Sequence, residues 1–145
     1  MIIVTGLLAL GIGFFGFRSL KAQDNVPPMG RLVVACGEGQ SENCVSSAGP
    51  EKNLVEAWKI SGDFAAIKSI VKELPRAELL DESDHFIHVV VRSLLFRYPD
   101  DLTLQWEGER ILVRSASRVG RKDLGVNRAR LESIATQARA QGLIN

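Results

Sequence analysis

The side chains able to do chemistry concentrate in one basic stretch. Between Val113 and Arg130 lie Arg114, Ser115, Ser117, Arg118, Arg121, Lys122, Asp123, Asn127 and Arg128, punctuated by Gly120 and Gly125. Guanidinium groups among small hydroxyls suit an anion, because a carboxylate or phosphate accepts two parallel N–H bonds from one arginine. Asn127 stands at the head of an apolar periodic segment, and a helix start adds free backbone N–H groups and partial positive charge. Arg114, Ser115, Ser117, Arg118, Asn127 and Arg128 are therefore the candidate binding residues for an anionic small molecule, lipid headgroup or carboxylate. Arg114 and Arg118 share the parity of one strand and would lie roughly 13 Å apart on one face. The competing use of the same arginines is structural. They would fork onto Asp100, Asp101 and Asp123 and stitch the last hairpin to the last helix.

Other constellations are weaker. Asp100 or Asp101 with His88 and an arginine would give a hydrolase-like acid–base site, but directly after Pro99 the two carboxylates also suit a turn. His85 and His88 sit three apart in an extended segment and so point to opposite faces, which prevents joint metal ligation. Ser46, Ser47, Ser115 and Ser117 have no histidine at an arguable triad spacing. No glycine-rich phosphate loop follows a strand, and no metal-ligand motif occurs, so neither cofactor nor metal is expected.

Cys36 and Cys44 are the chain's only cysteines, eight positions apart across a glycine-rich polar loop. A disulfide fits if the domain faces an oxidising compartment, and it would contribute roughly 2–3 kcal/mol by chain entropy. Inert thiols are the second option. A reactive thiol is the third, and it would need a base nearby.

These residues need a scaffold, and 145 residues leave room for one domain. Ser61-Gly62-Asp63 offers an N-cap to a helix ending at Leu74-Pro75, with Phe64, Ile67, Ile70, Val71 and Leu74 on one stripe and Lys68 outside it. From Ala77 the period changes to two. Strands are predicted over Ala77–Glu82, Phe86–Phe96, Leu102–Glu107 and Arg110–Ser117, with turns at Ser83-Asp84, Pro99-Asp100-Asp101 and Gly108-Glu109. Arg31–Ala35 reads as a short edge strand or an extended lead-in. Asn127 is predicted to cap a helix running to Gln141, with Gly142 as its stop and Leu131, Ile134, Ala135 and Ala138 buried. The predicted fold is α+β: a four-stranded antiparallel meander with two helices packed on one face. Its second face should carry His88, Arg92, Thr103, Gln105 and Arg114.

Charge is divided along the chain. Residues 30–107 carry 8 Lys/Arg against 13 Asp/Glu, a net of −5, and residues 108–145 carry 8 against 3, a net of +5. Halves of opposite sign neutralise each other when packed, and the overall +1 gives little long-range steering, so no nucleic-acid partner is expected.

The first 17 residues carry no charge. As a helix, residues 2–17 would span roughly 24 Å, and extension to Leu20 with Arg18 snorkelling approaches the hydrocarbon thickness. No basic region precedes the run, and Leu20-Lys21-Ala22 is a poor cleavage site, so an uncleaved single-span anchor is expected over residues 1–20. Residues 21–30, with Pro27-Pro28, read as a linker, and residues 31–145 as the globular domain. Arg18 and Lys21 argue for a cytoplasmic domain, whereas a disulfide would place it outside.

Taken together, Cys36, Ser41-Glu42-Asn43-Cys44-Val45-Ser46-Ser47, Leu74-Pro75-Arg76, Arg92-Ser93-Leu94-Leu95-Phe96, Pro99-Asp100-Asp101, Arg114 to Gly120 and Asp123 to Arg128 resemble the family called domain of unknown function 1499. The resemblance runs from about Leu32 to Ala140. One departure is Glu42 before Asn43-Cys44, where family members often carry proline. The resemblance implies a fold and a placement, often behind an export or membrane signal, and no mechanism. It favours an extracytoplasmic, single-pass protein. The functional expectation is a membrane-anchored, non-enzymatic domain that binds an anionic small molecule, lipid or protein partner. The hydrolase-like enzyme and a subunit or assembly factor of a membrane complex are the alternatives.

Overall fold

Short-range signals start and stop most of the elements. A computed structural model of the chain describes residues 30–40, 42–49 and 51–145. The anchor expected over residues 1–20, and most of the linker after it, lie outside the described residues. In chain order the elements are β1 (Cys44–Ser46), a 3-10 turn (Glu51–Asn53), β2 (Trp58–Lys59), α1 (Phe64–Lys72), β3 (Ala77–Ser83), β4 (Phe86–Arg92), β5 (Pro99–Glu107), β6 (Arg110–Ser117) and α2 (Val126–Ala140). Asp63 caps α1, its carboxylate accepting from the Ala65 N–H at 2.9 Å. No helix among the described residues is long and apolar enough to cross a membrane.

The sheet has six strands, not four. Its order is β1-β6-β5-β4-β3, and β2 also pairs with β6. All the pairings are antiparallel. The two additional strands, of three and two residues, are too short to show any alternation in sequence. They form because β6 would otherwise present an edge of unpaired N–H and C=O groups. Two boundaries also differ from expectation. β4 ends at Arg92, since Ser93 and Tyr98 close a turn through Ser93 N–H to Tyr98 O at 2.9 Å and Tyr98 N–H to Ser93 Oγ at 2.9 Å. Pro99, Asp100 and Asp101 belong to β5 and form no turn. A proline is tolerated as the first residue of a strand, where its missing N–H removes no ladder bond.

Register fixes the two faces. Val89, Leu102, Ser115 and Val45 lie across from one another, as do His88, Thr103, Arg114 and Ser46 on the opposite face. On the first face Ile87, Val89, Leu102, Leu104 and Val113 pack against Phe64, Ile67 and Val71 of α1 and Leu131, Ile134 and Ala138 of α2. This is the α+β sandwich with both helices on one face. Lys68, although outside the apolar stripe, is buried; its Nζ donates to Ser83 O at 2.8 Å and lies 3.0 Å from Glu82.

The second face is covered by the chain's own lead-in. Residues 31–40 cross it, turning at Arg31 and again after Gly37, and join no strand. Arg31 Nε donates to Asp81 on β3 at 2.9 Å, the Val33 N–H to Gln105 on β5 at 2.7 Å, and Ser46 Oγ on β1 to Val34 O at 2.8 Å. A disulfide between Cys36 and Cys44 then ties the lead-in to β1. Gly49 permits this approach: it holds φ +117°, and a Cβ built there would meet Ala35 Cβ at 2.5 Å. Gly49→Ala should therefore destabilise the fold by about 1–3 kcal/mol, read as a lower melting temperature with unchanged helix and sheet content.

Candidate functional site

Asp100 and Asp101 are neighbours in β5 and so project to opposite faces. Each is the hub of a buried polar cluster. On the helix face Asp100 accepts from Arg130 Nη2 of α2 at 2.7 Å. Arg130 Nη1 donates to Ser115 Oγ at 2.8 Å and to Asn127 Oδ1 at 2.7 Å. Ser115 Oγ–H donates to Asn127 Oδ1 at 2.6 Å. Asn127 Nδ2 reaches Ser117 Oγ at 3.0 Å, Asn43 O at 3.1 Å and Asp123 Oδ2 at 2.7 Å. Asn127 thus joins β6, the disulfide loop and the start of α2 while fully buried.

On the second face Asp101 receives a fork from Arg118, Nε to Oδ2 at 2.8 Å and Nη2 to Oδ1 at 2.7 Å. His88 Nε2 lies 2.7 Å from Asp101 Oδ1. Burial pushes the Asp101 carboxyl pKa up, but the hydrogen bonds from Arg118 and His88 outweigh it and hold the carboxyl below its usual range. An ionised carboxylate only accepts, so Nε2 carries the proton in this contact. Arg114 sits beside them, and burial draws its guanidinium pKa down against the charge of Asp101. Its Nη2 contacts Gln40 Oε1 of the lead-in at 3.4 Å. Thr103 Oγ1, between His88 and Arg114 in the register, has no hydrogen-bond partner among the described residues.

The six candidate anion-binding residues do not converge. Ser115, Ser117 and Asn127 lie on the helix face, Arg114 and Arg118 on the other, and Arg128 is exposed on α2 with its Nη2 3.4 Å from Leu54 O. Asn127 is not the helix cap. The N-cap is Gly125 at φ 81°, and Asp123 supplies the capping carboxylate to the N–H groups of Gly125 at 2.9 Å and Asn127 at 3.0 Å. Two backbone N–H groups of this helix start are thus met by the chain's own carboxylate. Asp100 is divided by the sheet from His88, whereas Asp101, His88 and Arg118 meet, buried, on the second face. His85 lies outside both clusters, its ring tilted against that of Trp106 with centroids 4.9 Å apart. Among the described residues no three His, Cys, Asp or Glu side chains are gathered as a metal site.

What the sequence did not disclose is an open groove of about 440 Å³ at the end of the sheet. Leu74, Pro75, Val91, Leu94 and Val126 form its apolar walls, and Asp100, Arg130 and Ser133 line it from the sheet and α2. Arg76 stands at its mouth, at φ 61°, with Nε donating to Arg92 O at 2.9 Å. These residues come from separate segments, so no local motif marks them. The available signal was Leu94-Leu95-Phe96, an apolar run that the end of β4 leaves outside the ladder.

The fold and its polar clusters define a small α+β domain in which a disulfide-tied lead-in closes one sheet face and two helices the other. The family model described as "Protein of unknown function (DUF1499)" matches residues 37–137, and the chain belongs to that family. No curated protein and no solved structure matches it.

Two measurements test the clusters. Asn127→Ala should cost about 1–3 kcal/mol for each buried partner left unsatisfied, read by chemical denaturation. Because the folded pKa of Asp101 is lowered, its contribution is present above the unfolded value of about 3.9 and is lost as pH falls through the folded value. Asp101→Asn should lower the melting temperature near neutral pH and flatten its decline below about pH 4.

Proposed function

We propose that this is a non-enzymatic, membrane-tethered domain on the extracytoplasmic side, and that its groove binds an anionic ligand bearing a short apolar chain. The observation that carries the reading is the groove itself: apolar walls, an arginine at the mouth, and a floor where Arg130 meets Asp100. An apolar cleft with a few fixed polar groups is the usual form of a small-molecule site. The disulfide supports the placement, because such bonds persist in oxidising compartments. The uncharged N-terminal run supports the tether. The hydrolase-like alternative has less in its favour, since His88 and Asp101 are 4% and 2% exposed and lie on the face crossed by the lead-in.

Hexyl phosphate is a suitable probe, added to the full chain in nonionic detergent and followed by amide chemical shifts. Shifts should centre on residues 74–76, 91–94 and 126–133. Ser133→Trp, which fills the groove, and Arg76→Glu, which reverses charge at its mouth, should each weaken binding about tenfold or more while leaving the fold intact. Shifts elsewhere, or equal binding by the filled variant, would remove the proposal.

A further inference from the structure

Four segments meet at the end of the sheet that holds the groove: the Cys36–Cys44 loop, residues 74–76 after α1, the β4–β5 turn and the β6–α2 connection. Topology requires this, since Asp100 at the start of β5 pairs with Val91 near the end of β4 and Ser117 at the end of β6. Large apolar side chains are exposed here in unusual number. Leu94 is 78% exposed, Leu95 79%, Phe96 42%, Leu124 93% and Val126 51%. The β4–β5 turn is built to present them. Ser93 and Tyr98 close its base with two hydrogen bonds, and the Phe96 and Tyr98 rings lie 5.6 Å apart. Leu94 and Val126 line the same groove, so both connections contribute to one surface. A contiguous exposed apolar patch of this kind marks a protein or membrane contact.

Charge decides between them. Leaving out Arg118, which is buried against Asp101, the four segments at this pole carry Arg76, Arg97, Arg121 and Lys122 against Glu38, Glu42 and Asp123, a net of +1. At the opposite end, the turns 83–86 and 107–110 carry Asp84, Glu107 and Glu109 against Arg110, a net of −2. The acidic members of the disulfide loop are Glu38 and Glu42, and Glu42 is met by Lys122 at 3.2 Å. Exposed apolar side chains at the pole whose charge balance is positive, with Arg121 beside them in sequence, complement an anionic bilayer: the chains enter the interface and the cations meet the phosphates.

We infer that Leu94, Leu95 and Phe96, with Leu124, form a membrane-docking tip that seats this pole of the domain on an anionic lipid surface. The inference does not require the groove to hold a ligand. It gives the domain a defined orientation in which the groove mouth opens toward the headgroups.

Both native cysteines are in the disulfide, so a single introduced cysteine takes a fluorophore selectively. Leu95→Cys, and Glu109→Cys at the far pole, would be labelled in the full chain reconstituted into vesicles of phosphatidylcholine with about 30 mol% phosphatidylglycerol. The label at 95 should shift to the blue and be quenched by lipid-borne nitroxides, and the label at 109 should stay in water. Arg121→Gln should lower the docked-to-free ratio on the order of fivefold, and omission of phosphatidylglycerol should lower it further. Equal water exposure at both positions would overturn the inference, and so would docking indifferent to lipid charge. Energy transfer between labels at 95 on two copies would overturn it in favour of self-association. Failure of the N-terminal tether is read separately, as loss of co-flotation. Protein mixed with the same vesicles still reports on the tip.

Discussion

The alternation of a β-strand, which sends adjacent side chains to opposite faces, is the constraint on which the polar architecture depends. Asp100 and Asp101 are consecutive, nearly buried, and separated by the sheet. Each needs its own cation, and the chain provides Arg130 from the last helix for one and Arg118 from the end of β6 for the other. Removing either arginine would leave a buried carboxylate without its ionic partner, a far larger penalty than the net stabilisation the pair provides. The two clusters thereby fix how the last strand, the last helix and the disulfide loop meet, because Asn43 and Asn127 extend the first of them into the loop.

Much of the fold was legible because its long elements repeat. Leu102, Leu104 and Trp106 alternate cleanly, and the stripes of both helices emerge as buried except for Leu74, which lies past α1 and is half-buried, with Lys68 added to the first and Asn127 to the second. The missing strands were not legible, since β1 and β2 owe their existence to the edge they cover and hardly to their own residues. Pro99-Asp100-Asp101 carries the composition of a turn, yet β6 supplies a partner for each of these carboxylates' backbone positions and the strand wins. Asn127 is a favoured cap residue, but Asp123, four positions earlier, caps the helix in its place by accepting from the Asn127 N–H, and the amide side chain turns into the core. The division of Arg114 from Ser115 follows from parity alone; nearness in sequence gave the impression of one site. The groove draws on contacts between distant segments, which a single sequence does not display.

The domain has two unlike poles. One gathers the disulfide, the groove, exposed leucines and an excess of cations. The other holds the Ser83–Phe86 and Gly108-Glu109 turns and an excess of carboxylates. The low overall charge of +1 conceals this separation. The sum of the charges therefore says less about the protein's partners than their distribution does.

The lead-in has a mechanical consequence. A pull applied to the chain ahead of Arg31 loads its cross-strand contacts one after another, Arg31 to Asp81 first and then Val33 to Gln105. Contacts loaded in series peel at low force. The peeling stops at Cys36, where the covalent bond passes tension directly to Cys44 and into the β1–β6 ladder. The disulfide therefore acts as a strain relief, limiting how far force on the chain ahead of it can strip the sheet.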